Sequence, residues 1–252
     1  MELKVALCQL SASDDPGENL GRLKDAVKDY EADLYVFPEL YLSSYGGDLP
    51  EGFLDRAVPE MEMLCREHGC AICVGAPVEF EGLRNSQLFI TEDRVYRYDK
   101  IHLARFGIYA EDRFTEGSVP VMVSWKGFRI GMIVCYDIMF PEPHRAYAKA
   151  GADIVITSSA SAGPSRPYME IIGPARSLEN TVYTVFLNNI GPCGDDAFWG
   201  GSCVYGPLGK KMVCLGDGEE VQVVTLTTEE ISEAREIRHH LEDIRKDVDW
   251  DV

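Results

Sequence analysis

The sequence predicts a mixed α/β fold, sheets with helices on their faces, and three observations predict it. Short Val- and Ile-rich runs alternate with amphipathic stretches along the whole chain. Some apolar runs follow one another directly, as across Asn85–Tyr98, whereas others are separated by a helical pattern. The 252 residues suffice for one α/β domain with a sizeable core, and nothing marks a linker, an internal repeat or a low-complexity tract.

Lys4–Leu10 reads as a buried strand. Gly17–Tyr30 follows as a helix, because Leu20, Leu23, Val27 and Tyr30 recur with the 3.6-residue period. Leu34–Phe37 is a strand and Gly52–Glu67 a helix. Ala71–Val78, Asn85–Thr91, Val95–Tyr98, Val119–Trp125 and Phe128–Val134 are strands rich in β-branched residues. Pro143–Ala150 is a helix, with Pro143 suited to its first turn and Gly151 to the position that closes it. Ile154–Thr157 is a strand, Tyr168–Asn180 a helix, and Tyr183–Asn188, Gly201–Tyr205 and Glu220–Thr225 are strands. Thr228–Leu241 is the last helix, and Glu242–Val252 is an acidic arm, solvated or packed on a partner.

Twenty-four Lys and Arg face 42 Asp and Glu, a formal charge of −18. That excess opposes binding to nucleic acid or to an anionic membrane through a broad surface. No apolar run approaches the roughly 18–20 residues of a membrane span. The apolar start is too short, and lacks the cleavage signal, for a secretory peptide, so a cytoplasmic location is expected. The eight cysteines show no regular disulfide spacing, and most are expected as free thiols. Cys65, His68, Cys70 and Cys73 have spacings that mimic a metal site, but a strand turns Cys70 and Cys73 to opposite faces, and no metal is expected. His239-His240 reads as a solvated face. Thr157–Ser165 is rich in Ser and Gly without a G-x-S-x-G elbow, and no phosphate-binding, dinucleotide or H-E-x-x-H motif is present, so no cofactor is expected.

The chemistry concentrates at strand ends. Leu34-Tyr35-Val36-Phe37-Pro38 runs into Glu39, Val95-Tyr96-Arg97-Tyr98-Asp99 into Lys100, and Ile130-Gly131-Met132-Ile133-Val134 into Cys135. Ligands of open α/β sheets bind just beyond the carboxyl ends of strands, so a carboxylate, an ammonium and a thiol can converge there. A free thiol with a pKa of about 8.5 is mostly protonated at neutral pH, and the thiolate is the nucleophile. A carboxylate can accept its proton and later deliver it to a departing nitrogen, while a cation stabilises the oxyanion formed on attack.

The blocks Phe37-Pro38-Glu39-Leu40, Tyr98-Asp99-Lys100-Ile101-His102-Leu103 and Val134-Cys135-Tyr136-Asp137-Ile138-Met139-Phe140-Pro141-Glu142 resemble the three signature segments of the nitrilase superfamily of carbon–nitrogen hydrolases. Glu111 through Phe114-Thr115-Glu116-Gly117, Gly151-Ala152-Asp153, Ala175-Arg176-Ser177-Leu178-Glu179-Asn180, Gly201-Ser202 and Gly206-Pro207-Leu208-Gly209 resemble further family segments, in the family's order. The likeness runs from about Leu3 to Arg245 and is closest to the amidase-like branch.

The resemblance implies a four-layer αββα sandwich, one hydrolase domain over residues 1–252 with 242–252 as an arm, assembled into a homodimer or larger oligomer. It implies Cys135 as nucleophile, Glu39 as general base and then acid, Lys100 as oxyanion stabiliser, the Tyr136 N–H as a second oxyanion donor and Glu111 as a supporting carboxylate. Thr157–Ser165 becomes a pocket wall, with Ser159 and Ser161 as candidate substrate-binding residues. The implied reaction is hydrolysis of a small linear amide or carbamoyl compound through a thioester; the alternatives are nitrile hydrolysis and acyl transfer to an amine. True nitrilases usually carry Trp-Glu where this chain has Tyr136-Asp137. Relatives acting on N-carbamoyl-D-amino acids carry arginines where it has Ile138 and Met139, which disfavours a carboxylate-bearing substrate unless Arg145 or Arg166 substitutes.

Overall fold

Each of the first strands carries an apolar row on both faces, and both rows are covered. In the computed structural model, which describes residues 1–107, 111–245, 247 and 248, Leu3, Val5 and Leu7 of β1 (Glu2–Gln9) join one core, while Ala6 and Cys8 join another. In β2 (Leu34–Val36), Leu34 and Val36 split from Tyr35 in the same way. This is the period-two alternation of a strand buried on both sides.

The elements follow in order: α1 (Pro16–Asp29), α2 (Phe53–His68), β3 (Ala71–Glu79), β4 (Leu83–Ile90), β5 (Val95–Asp99), β6 (Met122–Trp125), β7 (Phe128–Val134), α3 (Pro141–Lys149), β8 (Ile154–Ser159), α4 (Arg166–Asn180), β9 (Tyr183–Asn188), β10 (Ile190–Cys193), β11 (Asp196–Trp199), β12 (Cys203–Tyr205), β13 (Lys211–Cys214), β14 (Glu220–Thr227) and α5 (Thr228–Ile237). One six-stranded sheet runs β14-β1-β2-β3-β4-β5 and the other β13-β12-β9-β8-β7-β6. β1, β2 and β3 are parallel, as are β7, β8 and β9, and the outer strands pair antiparallel.

The core holding Leu3, Val5 and Leu7 also holds Phe128, Ile130 and Met132 of β7, so the sheets pack face to face. α1 and α2 cover the first sheet with Leu23, Val27, Met61 and Leu64. α3 and α4 cover the second with Tyr147 and Met169. The result is the expected four-layer αββα sandwich. Among the described residues no helix is long and apolar enough to cross a membrane.

Most element positions agree with the sequence reading, and the departures have local causes. α3 begins at Pro141 rather than Pro143, because Pro141 takes the first helical position, where a missing N–H costs nothing. Gly151 has φ +84°, the left-handed conformation expected after that helix. β6 starts at Met122 rather than Val119, and α5 ends at Ile237, so His239 and His240 lie beyond it; the His240 ring is 3.0 Å from the Glu179 carbonyl. The β10–β11 hairpin and β13 are additional strands. β13 pairs with β12 so that Cys203 and Cys214 are register partners with Cα atoms 4.2 Å apart, and they form a disulfide; the other six cysteines are free. Cys70 and Cys73 face different cores, as expected: Cys73 lies between the sheets and Cys70 on the helical side. Of the acidic arm, 246 and 249–252 lie outside the described residues.

Candidate active site

Glu39 enters the site from the turn that follows β2. A side chain at Gly75 would meet Leu40 N at 2.2 Å and Pro38 O at 2.6 Å, so only glycine lets β3 run beneath that turn. Lys100 leaves the end of β5, which points the same way as β2 through two successive antiparallel pairings beyond β3. Its backbone is gripped on both sides: its N–H donates to Asn85 O at 2.8 Å, and its carbonyl accepts from Gly117 N at 2.8 Å. Cys135 begins the tight turn Cys135–Met139 after β7, with φ +45°, a conformation disfavoured for any residue with a Cβ. Such outliers persist where surrounding contacts impose them, and they cluster at functional positions.

The sandwich stacks these strand ends together. Lys100 Nζ donates to Glu39 Oε1 and to Glu111 Oε1, each at 2.7 Å, and all three side chains are at most 1% exposed. Asn85 Nδ2 donates to the same two oxygens, at 2.7 and 3.3 Å. The second oxygen of Glu39 accepts Ala160 N–H at 2.8 Å, and that of Glu111 accepts Ala104 N–H at 2.5 Å. Tyr45 donates its hydroxyl to Glu111 Oε1 at 3.2 Å. Ser159, at the end of β8, holds its hydroxyl 3.2 Å from Cys135 Sγ.

Burial sets the protonation. It pushes the Glu39 carboxyl above its usual range, and the nearby Glu111 adds to this while Lys100 opposes it. Burial and then Glu39 push the Cys135 thiol up to about 12, against the opposing pull of Lys100 and the Ser159 hydroxyl. Burial alone would lower the Lys100 pKa, but Glu39, Cys135 and Glu111 together raise it, so the ammonium persists at neutral pH. The thiol is therefore protonated at rest, near a Glu39 carboxyl group of raised proton affinity and a fixed cation.

Glu39, Lys100, Glu111, Cys135 and Ser159 are thus brought into one buried cluster. Tyr136 follows Cys135 with its ring against Phe106 and Phe140, and its N–H is one that the first turn of a helix leaves without an intrahelical partner. Ser161 lies two residues beyond Ser159, but its N–H goes to Asn188 Oδ1 at 2.7 Å, and among the described residues no bond joins it to the cluster. Asn85, Tyr45 and the Ala104 and Ala160 amides are partners the sequence reading missed. No local signal marks Asn85, which shares the polar opening of its strand with Ser86 and Gln87. Ile108, Tyr109 and Ala110 of the turn before Glu111 lie outside the described residues.

A cavity of about 450 Å³ adjoins the cluster through Tyr45 and Phe198. Its wall includes Ser11, Ser13, Asn189 and Cys193, and among the described lining residues Asp14 carries the one charge. A larger cavity of about 620 Å³, between Asp48 and Leu83, touches none of the clustered side chains described above. The geometry and chemistry of the cluster, not cavity size, make it the candidate site.

Known proteins resemble this chain over most of its length. The chain is 32% identical to an (R)-stereoselective amidase of a Pseudomonas species, over 96% of this chain and 92% of that one. A CN-hydrolase superfamily protein of Xanthomonas campestris, solved with an arsenic adduct in its active site, superposes with a TM-score of 0.87 at 25% identity, covering 98% of this chain and 99% of that one. A variant of an amidase from Nesterenkonia, solved with the acetamide moiety of fluoroacetamide covalently added at its active-site cysteine, superposes with a TM-score of 0.79 at 29% identity, covering 96% and 97%. The carbon–nitrogen hydrolase family matches residues 4–236, a span that contains both sheets apart from the first two residues of β1. A match of that extent, on the fold and cysteine geometry already described, establishes descent: the chain belongs to the carbon–nitrogen hydrolase family.

Proposed function

We propose that this protein hydrolyses the C–N bond of a small, linear, neutral amide through a thioester on Cys135. The observation that carries the reading is the Lys100 ammonium fixed 2.7 Å from both Glu39 and Glu111 in the cluster that holds Cys135. Glu39 takes the thiol proton as Cys135 Sγ attacks the carbonyl carbon. Lys100 and the Tyr136 N–H receive the oxyanion. The C–N bond then breaks, Glu39 returns its proton to the nitrogen, and ammonia or an amine leaves. Water, deprotonated by Glu39, attacks the thioester and releases the acid.

Ser159 supports this cycle by donating to the sulfur, which favours the thiolate; Ser161 serves as part of the acyl-side wall. A neutral substrate is supported by Ile138 and Met139 after the nucleophile and by the single charge described in the adjoining cavity. Of the arginines that could hold a carboxylate instead, Arg166 is engaged by Glu170 at 3.0 Å and by the Trp199 ring. The reading keeps the protein cytoplasmic. It also makes the protein a homodimer or larger, an assembly supported by the exposed apolar Tyr168, Ile171 and Leu178 on α4.

The test is a panel assayed by ammonia or carboxylate release. Neutral aliphatic amides should be turned over at least about tenfold faster in kcat/KM than the matching nitriles or N-carbamoyl-D-amino acids, a gap of about 1.4 kcal/mol. A preference for the nitrile moves the protein to nitrile hydrolysis. Product trapped on an added amine instead of water makes it an acyltransferase.

Glu111 has the positioning part in this scheme, because its two oxygens tie Lys100 to the Ala104 amide. Glu111→Gln should keep alkylation of Cys135 by iodoacetamide and lose roughly 10²-fold in amide turnover, the effect of about 1 Å of misplacement. Unchanged turnover would remove Glu111 from the site.

A further inference from the structure

Asp137 lies two residues after Cys135 and is fully buried, yet the proposed chemistry gives it no step. Its carboxylate is saturated by donors from two separate segments. Oδ1 accepts the His102 N–H at 2.8 Å and lies 2.8 Å from His102 Nδ1. Oδ2 accepts the Tyr98 hydroxyl at 2.8 Å and the Val134 N–H at 3.1 Å. An ionised carboxylate has only acceptors, so Nδ1 of His102 carries the proton in this contact.

The donors form a pattern. Tyr98 and His102 stand two residues before and two residues after Lys100, and they come from the first sheet and the turn beyond it. Val134 and Asp137 itself stand on either side of Cys135 and Tyr136, at the end of the second sheet. One side chain therefore straddles the two segments that carry the oxyanion donors. The Val134 bond also closes the turn that holds Cys135 at its disfavoured φ of +45°. His102 is further fixed by stacking on Phe140, with ring centroids 3.7 Å apart.

We propose that Asp137 is a positioning residue that locks the Lys100 ammonium and the Tyr136 N–H at the spacing an oxyanion needs. The inference rests on the amidase reading above. Asp137 touches neither substrate nor sulfur, and it acts by joining the two sheets' strand ends across the site. An asparagine there replaces one acceptor oxygen by a donor, which faces either the Tyr98 hydroxyl and Val134 N–H or the His102 pair. The spacing then relaxes while side-chain volume is kept.

The experiment compares wild type, Asp137→Asn and Tyr98→Phe, the last removing one donor with no change of shape. Each preparation is read for thermal melting, for alkylation of Cys135 by iodoacetamide and for kcat and KM on a neutral amide. Alkylation is a displacement at carbon that forms no oxyanion, so it reports the thiol and Glu39 alone. Asp137→Asn is expected to keep alkylation and KM while kcat falls roughly 10²-fold, the size of a lost oxyanion donor. Tyr98→Phe is expected to lower kcat in the same direction and less, again with alkylation kept. Turnover within twofold of wild type, or alkylation falling in step with kcat, overturns the proposal. If Asp137→Asn does not fold, Tyr98→Phe decides by the same criteria. A wild type that releases ammonia from no amide overturns the amidase reading and this inference with it; an active wild type with an indifferent Asp137 overturns this inference alone.

Discussion

Replacing Cys135 with alanine is expected to leave a folded protein without amide hydrolysis. The substitution trades a thiol for a methyl at a position 5% exposed, so the melting temperature should move by no more than a few degrees, about 1 kcal/mol. The turnover loss should be roughly 10⁶-fold, the scale for removing a covalent nucleophile. The thiol, pushed up to about 12 by burial and Glu39, is not a standing thiolate. In the proposed cycle activation therefore comes from transfer to Glu39 during attack. Wild type stopped with a slowly deacylating amide should carry the acyl mass on the peptide containing Cys135. The same mass on Cys8 or Cys193, which are free thiols, would overturn the assignment.

Lys100→Met is the second large effect, and it acts on both rate and stability. Turnover should fall at least ~10²-fold, because the methionine keeps the stem and loses the oxyanion donor. The fold should also lose about 3–5 kcal/mol at neutral pH, since Glu39 and Glu111 are left buried without their shared cation. The sign of the pH dependence follows. Glu39 already sits above its usual range with Lys100 opposing the shift, and without Lys100 it rises further. A carboxyl raised in the folded state stabilises below its unfolded pKa of about 4.3 and loses that contribution as pH rises through the folded value. The melting-temperature gap between Lys100→Met and wild type should therefore narrow as pH is lowered from neutral toward 5. Wild-type activity in this variant would reduce Lys100 to a structural ion.

The parts of this site that were legible in sequence were those written locally. Glu39, Lys100 and Cys135 each stand at or just past a strand end, so strand ends marked them as candidates, and the signature blocks of the resemblance supplied their expected roles. Glu111 carries no local mark in a loop, and only the family resemblance found it. Asn85, Tyr45 and the donors around Asp137 were not legible, because their meaning depends on which strands the two sheets bring together. β10 and β11 escaped because Gly191, Pro192 and Gly194 read as loop. β13 is short and largely exposed, and missing it also hid that Cys203 and Cys214 face each other.

The ion cluster around Lys100 also fixes the electrical bookkeeping of the proposed cycle. With a neutral thiol and both carboxyl groups ionised, as the cycle requires before attack, Glu39, Glu111 and Lys100 enclose one net negative charge. Moving the proton from sulfur to Glu39 leaves that total unchanged. So does attack on an uncharged carbonyl, which only shifts the charge from sulfur to oxygen, and so does collapse to a neutral thioester with Glu39 ionised again. The compartment never has to take in or expel an ion during acylation, which in a medium of low polarity would cost several kcal/mol. A formal charge beside the scissile carbonyl would have to be desolvated on entry at a similar cost, so a neutral amide is the reactant that the buried cluster accommodates with least electrostatic work.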